Sequence, residues 1–353
     1  MMIFAISGTA VALFAFIVYY KVKSMRLVDR MQLLLMILTK LNVMKILQIT
    51  GLDQKMRPGL THFTASNGFK IMLTPVFASV VSEVLKFKVR EDDVFIVTYP
   101  KAGTTWMQEI TWLICNDGNI DGAKKELITM RSPFLETVDI PISKGIQSLE
   151  TWPKNKQRVI KTHLPYEILP AEIRNGKKCK IIYVARNPKD LCVSYFHFHR
   201  MITGLPNPET WREFLSKFCS DNVVGGSWFD HTLKFWEKYQ DDKQRIYFVK
   251  YEDLKKDLRK EVESISKFLG KELSGEQMDA ISKHCTFGSM SKNKKTNMSP
   301  LAKYGMDVAK SKFMRKGEVG DWKNYFTINQ SSAFDRMYQE KVEGSGLDIT
   351  FEM

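Results

Sequence analysis

Lys101, His163, Arg186 and Tyr251 each stand just past the end of a short apolar run, and their types together could hold and attack a charged group. Lys101 lies in Tyr99-Pro-Lys-Ala-Gly-Thr-Thr-Trp106, directly behind Val94-Phe-Ile-Val97. That order reads as a strand, a tight turn and a helix start. Gly103 lets the backbone approach a ligand, and Thr104 or Thr105 is expected to cap the helix that continues through Ile114. A helix N-terminus behind a short glycine turn carries free N–H groups and a positive dipole end, which suit an anion. Lys101 adds a cation and the threonines two further donors, so the segment is expected to cradle a phosphate or sulfate. It is not a nucleoside-triphosphate loop. That loop needs Gly-x-x-x-x-Gly-Lys-Ser/Thr, whereas the lysine here precedes the only glycine of the segment, which argues against a magnesium-dependent kinase or hydrolase.

The elements that must position these residues follow from the runs themselves. Val94–Val97 is one. Arg158-Val-Ile160 leads into Lys161-Thr-His163-Leu-Pro165, Lys180–Ala185 leads into Arg186-Asn-Pro-Lys-Asp190, and Ile246–Val249 leads into Lys250-Tyr251. Four continuous apolar runs separated by helical patterns predict buried strands of a parallel α/β sheet. Ligands of such sheets bind outside the carboxyl ends of the strands, so the four residues are expected to line one rim.

Over these segments the chain resembles the cytosolic sulfotransferases. Tyr-Pro-Lys-x-Gly-Thr-Thr-Trp106 resembles their 5′-phosphosulfate loop, Lys161-Thr-His-Leu-Pro165 their catalytic segment, and Arg186-Asn-Pro-Lys-Asp…Ser194 their 3′-phosphate segment. Phe313-Met-Arg-Lys-Gly317 with Gly320-Asp-Trp-Lys323 resembles the family's closing signature, and the likeness runs from about Ala65 onward. The resemblance implies a single three-layer α/β domain with a P-loop-like phosphosulfate loop. It also implies sulfuryl transfer from 3′-phosphoadenosine 5′-phosphosulfate to a hydroxyl or amine of a small molecule, with no metal. His163 would be the general base, with Lys161 and Lys101 facing the transferring and leaving oxygens and Lys161, Thr162 and His163 meeting the acceptor. The loop residues Lys101, Ala102, Gly103, Thr104 and Thr105 would hold the 5′-phosphate and Trp106 the adenine. Arg186, Ser194 and Phe313, Met314, Arg315, Lys316 and Gly317 would hold the 3′-phosphate side. Tyr251 and the segment Cys285, Thr286, Phe287, Gly288, Ser289 and Met290 would complete the adenosine site.

The chain departs from the family pattern at three places. Ala102 stands where serine is usual, and Cys285 where threonine is usual. The dimer signature reads Lys323…Thr327-Ile328…Ser332, without its closing glutamate, so the resemblance does not carry homodimerisation over. Pocket walls from variable loops, with Phe134, Phe196, Phe198 and Gly225–Phe229, favour a flat apolar acceptor such as a phenol or steroid-like alcohol. His197 and His199, two apart on a helix, do not share a face and are not read as metal ligands. Five scattered cysteines without a Cys-x-x-Cys pair read as reduced intracellular thiols. Basic runs such as Lys292–Lys295 read as solvated loops, not as a nucleic-acid surface.

A different chemistry precedes this domain. Met1–Tyr20 carries no charged side chain and is long enough to span a bilayer, and Lys21, Lys23, Arg26 and Arg30 follow at once. No basic region precedes the apolar core, which argues against a cleaved signal peptide. Positive charge after the span predicts that the rest lies on the cytosolic side. Residues 1–90 hold 12 Lys/Arg against 3 Asp/Glu, most of the chain's +14. Residues 31–49 could lie on an anionic leaflet or pack on the domain. The expected organisation is an apolar and basic extension over 1–53, with its apolar helix leading, a linker over 54–67 and the catalytic domain over 68–353.

Overall fold

The computed structural model describes residues 61–64, 68–176 and 178–353. The expected membrane span, the basic stretch behind it and the helix over 31–49 lie outside the described residues. No helix among the described residues is long and apolar enough to cross a membrane.

The first described element corrects an expectation. Thr61–Thr64, inside the stretch expected to be linker, is a strand (β1) that pairs antiparallel with β2 at Lys70–Leu73, Thr61 opposite Leu73. Helix α1 (Pro75–Leu85) follows, its N-terminus capped by the Thr74 hydroxyl and started by proline at the first position. The central sheet is then built from β3 (Val94–Thr98), β4 (Val159–Thr162), β5 (Lys180–Ala185) and β6 (Ile246–Lys250). Their order is β4-β3-β5-β6 and every pairing is parallel, as the four apolar runs predict.

Those runs are continuous because both faces of the sheet are covered. Along β3, Phe95 and Val97 point into one core while Val94 and Ile96 point into another. On β5 the same alternation sends Ile181, Tyr183 and Ala185 one way and Ile182 and Val184 the other. The first core is closed by α1, by α3 (Pro188–Met201), by α5 (Trp228–Asp241) and by α8 (Ile328–Val342); α4 (Trp211–Cys219) adds Phe214 and Phe218. The second is closed by α2 (Thr104–Cys115), α6 (Leu258–Phe268) and α7 (Gly275–His284). The result is the expected three-layer arrangement. At the amino ends of the strands a buried ion pair, Arg158 Nη2 to Asp93 Oδ2 at 2.6 Å, fixes β4 against β3. At the carboxyl ends, the loops that leave the strands make the site.

Candidate active site

All four rim residues lie just beyond the carboxyl ends of their strands, Arg186 and Tyr251 directly after the paired residues Ala185 and Lys250. Beyond β3 the chain turns sharply through Lys101, which adopts φ 73° although it is not glycine. Gly103 follows with φ 112° and is itself the N-cap of α2, with no side-chain cap. The threonines therefore do not cap the helix. Thr104 Oγ1 turns back to Thr98 Oγ1 at 2.7 Å, leaving the helix N–H groups facing the cleft. Glycine is required at 103 for a further reason: a Cβ there would stand 2.9 Å from the Tyr251 ring. The close approach expected of a ligand is made by the protein itself.

Arg186 ends β5 just before the Asn187 cap of α3, whose side chain accepts from the Lys189 and Asp190 N–H groups. Its guanidinium lies 4.3 Å over the Tyr251 ring and donates to the Lys101 and Glu318 carbonyls at 3.2 and 3.4 Å. Asp190 instead accepts from the backbone N–H groups of Gly320 and Trp322, at 2.7 and 2.8 Å. This draws the closing segment over the rim. There Arg315 Nη2 meets Asp321 Oδ2 at 2.5 Å, and Lys316 is paired with the same carboxylate. Gly317 has φ 69°, and a Cβ on it would collide with the Phe287 ring. On the far wall the Trp106 indole donates to the Cys285 carbonyl at 2.7 Å.

These elements enclose a cleft of about 920 Å³ of empty space, part of it open to solvent. Of the residues expected at a nucleotide site, Lys101, Gly103, Thr104, Thr105, Trp106, Arg186, Ser194, Tyr251, Cys285, Phe287, Met290 and Phe313 to Gly317 line it, together with Lys161. Ala102 is fully buried in the core below. Thr286 caps the short helix Phe287–Lys292, and Ser289 bonds to that cap; these two and Gly288 do not line the cleft. Thr162 is fully buried and its hydroxyl accepts from Leu164 N–H, which makes it a support of the turn instead of an acceptor contact. Phe196, Trp228 and Phe229 are likewise core residues, so of the expected acceptor wall Phe134 and Phe198 remain near the chemistry.

His163 stands beside the cleft, not in its wall. Its Nδ1 lies 2.8 Å from the Thr98 carbonyl oxygen. A carbonyl only accepts, so Nδ1 carries the hydrogen and Nε2 holds the free lone pair. Its backbone is pinned at both ends, N–H to Glu136 Oε1 at 2.5 Å and C=O from His231 Nε2 at 3.2 Å. Removal from water, reinforced by Lys161, holds the imidazole well below its usual pKa, so it is a neutral base.

The two lysines are treated in the same way. Lys101 Nζ lies between the rings of Phe198 and Phe313, at 4.4 and 4.0 Å, and Lys161 Nζ lies 3.9 Å over Phe134. Burial, with Lys161 and Arg186 nearby, lowers Lys101 to about 7. Burial lowers Lys161 to about 8 against the pull of Glu136, whose own carboxyl burial raises to about 7. Thr98, Glu136 and His231 hold His163, yet they carry no motif that could have singled them out in the sequence. His197 and His199 bond to Tyr325 and to the Pro206 carbonyl, and no cluster among the described residues could hold a metal.

Fold and site together define a parallel α/β architecture whose strand ends gather cations in one cleft beside a neutral imidazole. Residues 91–346 match the sulfotransferase domain, and the chain belongs to that family. It is 40% identical over 282 residues to human sulfotransferase 1C2, covering 80% of this chain and 94% of that protein. It is 44% identical over 275 residues to mouse sulfotransferase 1B1, covering 77% and 90%. Among solved structures, retinol dehydratase in complex with androsterone and the inactive cofactor PAP is similar, at TM-score 0.73 and 26% identity over 82% of this chain and 91% of that one. Mouse sulfotransferase SULT7A1 complexed with PAP superposes at TM-score 0.64 and 34% identity, over 81% and 96%. The protein is an enzyme of the sulfotransferase class.

Proposed function

We propose that the enzyme moves a sulfuryl group from 3′-phosphoadenosine 5′-phosphosulfate to the hydroxyl or amine of a small apolar acceptor, with His163 as general base. The observation that carries this is the hydrogen bond from Nδ1 to the Thr98 carbonyl, which leaves Nε2 unprotonated beside two lysines that form no ion pair among the described residues. The residues fit the nucleotide. The cleft gathers Lys101, Lys161, Arg186, Arg315 and Lys316, and the Nε atoms of Arg186 and Arg315 are buried with no hydrogen-bond partner. Lys101, Thr104, Thr105 and the open end of α2 suit its 5′ side, while Arg186, Ser194 and the Arg315-Lys316-Gly317 turn suit its 3′-phosphate.

The nucleotide, when bound, supplies an activated sulfuryl group on a phosphate leaving group. The chain's own residues do the rest. Nε2 of His163 takes the acceptor's proton, an effect worth ~10²–10⁴-fold. Lys161 and Lys101 stand where negative charge grows, and their low-dielectric surroundings strengthen that interaction. Phe134, edge-on to His163 with centroids 5.3 Å apart, and Phe198 offer an apolar wall to the acceptor. The androsterone carried by the related retinol dehydratase supports a steroid-like or aromatic alcohol.

The enzyme is taken to work on the cytosolic face of a membrane, tethered through Met1–Tyr20; the composition of that span supports this reading. Assay of phenols, steroids and arylamines with labelled donor, on wild type and His163→Ala, tests the function. Transfer by the wild type with none by the variant, at unchanged nucleotide affinity, is the expected result. Turnover of His163→Ala within a few-fold of wild type removes the base assignment.

A further inference from the structure

The base and the nucleotide loop meet at one side chain. Thr98, the last residue of β3, is fully buried, and its Oγ1 lies 2.7 Å from Thr104 Oγ1 and 3.1 Å from His163 Nδ1. Because the Thr98 carbonyl, 2.8 Å from the same nitrogen, can only accept, the hydrogen sits on Nδ1. Thr98 Oγ1 therefore faces an N–H and accepts there. Buried, and with no other acceptor in reach among the described residues, the Thr98 hydroxyl gives its own hydrogen to Thr104 Oγ1, and the Thr104 hydrogen is left to point elsewhere. Thr104 borders the cleft. The direction of the whole chain is thus set by one carbonyl.

We propose that Thr98 is a positioning residue that couples anion binding at Thr104 to the proton-accepting strength of His163, through the directed chain from His163 Nδ1–H to Thr98 Oγ1–H to Thr104 Oγ1–H. The inference rests on the reading of His163 as base and of Thr104 as a 5′-phosphate contact. An anion that accepts from Thr104 makes its oxygen a better acceptor, which polarises the Thr98 hydroxyl and in turn tightens its hold on Nδ1–H. Linked hydrogen bonds strengthen one another by about 10–30% per bond. A stronger acceptor at Nδ1–H favours the protonated imidazole, so Nε2 becomes more basic when the nucleotide is in place. Other groups face the ring: Lys161 from β4, Lys101 from the loop and His231 from α5 oppose its protonation, while Glu136 binds its backbone N–H. A bound anion also acts on the ring through space, and the hydroxyl of Thr98 separates the two routes.

The test is the side-chain nitrogen and proton spectrum of His163 in the full chain with labelled histidine, assigned by its loss in His163→Gln. Adenosine 3′,5′-bisphosphate should shift the Nδ1–H resonance downfield, and adenosine 3′-monophosphate, which lacks the 5′ group, should leave it in place. In Thr98→Val, of nearly equal volume, the bisphosphate response should vanish and kcat should fall about 2- to 10-fold, the effect of one hydrogen bond. The acid limb of the kcat profile should also move to lower pH. Thr98→Ser should restore all three. A merely structural threonine would lower activity without moving the acid limb. An unchanged response in Thr98→Val overturns the inference, as does an equal response of the wild type to both nucleotides; this second comparison decides even if the variant does not fold. Failure of the wild type to bind either nucleotide by calorimetry overturns the functional reading and the inference with it.

Discussion

The two ends of the cleft handle positive charge in opposite ways. At the strand-end side, Lys101 and Lys161 lie against aromatic rings, form no ion pair among the described residues and are lowered to about 7 and about 8. At the closing segment, Arg315 and Lys316 share the Asp321 carboxylate, and Lys316 is held above its usual pKa by that contact. Rings attract a cation but do not neutralise it. The first pair is therefore left with unmet demand for an anion, while the second is already satisfied and must share its partner when a phosphate arrives. Under the proposed function, the charge that would act on the reacting group lacks a close carboxylate and the charge that would only anchor has one.

The comparison can be broken most severely at the first end. Lys101→Met should lower kcat by ~10²–10³-fold, since it removes a charge aimed at developing negative charge, whereas Lys316→Met should leave kcat within a few-fold. Single-turnover rates at saturating donor would read this directly. Equal losses would show that the two ends do not differ.

Affinity should split next. Arg186→Ala removes a buried fork with an unpartnered Nε and should raise the dissociation constant for adenosine 3′,5′-bisphosphate by about 10- to 150-fold, the 1.5–3 kcal/mol of a charged hydrogen bond. Lys316→Ala, exposed and shared with Asp321, should raise it only a few-fold. Neither should matter much for adenosine 5′-phosphate, which lacks the 3′ group. Calorimetry with both ligands checks this.

The pH dependence gives a finer cut. Free Lys101 loses its proton near pH 7, and a bound anion favours the charged form. Below that pH binding needs no proton. Above it a proton must be taken up, so affinity should fall by up to tenfold per pH unit between about 7 and 9, with Lys161 adding to the slope above about 8. Lys101→Met should flatten the lower part of that slope, while Lys316→Ala should leave it unchanged.

How much of this was legible follows from the physics of each part. The four strands could be read because a parallel strand covered on both faces is apolar without interruption, and Phe95 and Ile96 show both faces in use. The rim residues followed from strand polarity alone. The cap of α2 was misread, because position 103 must be glycine for two reasons, its φ of 112° and the Tyr251 ring, from a distant part of the chain, that leaves no room for a Cβ. Thr162 matched a motif but its hydroxyl turned inward, and Trp228 and Phe229 were spent on the core. Glu136 and His231 hold the base through its backbone, a role that any acceptor or donor could fill and that leaves no signature. The β1 strand was missed because four residues are too few to show a period.

Lys101 also bears on how the fold tolerates heat. A non-glycine residue held at φ 73° carries about 1–2 kcal/mol of strain, and the same residue keeps an ammonium away from water. Lys101→Gly would relieve both, against about 0.5–1 kcal/mol for the extra freedom of glycine in the unfolded chain. The variant should therefore melt at a higher temperature than wild type while being inactive. Selection for ruggedness alone would discard this lysine, and under the proposed function the turn is where durability is traded for turnover.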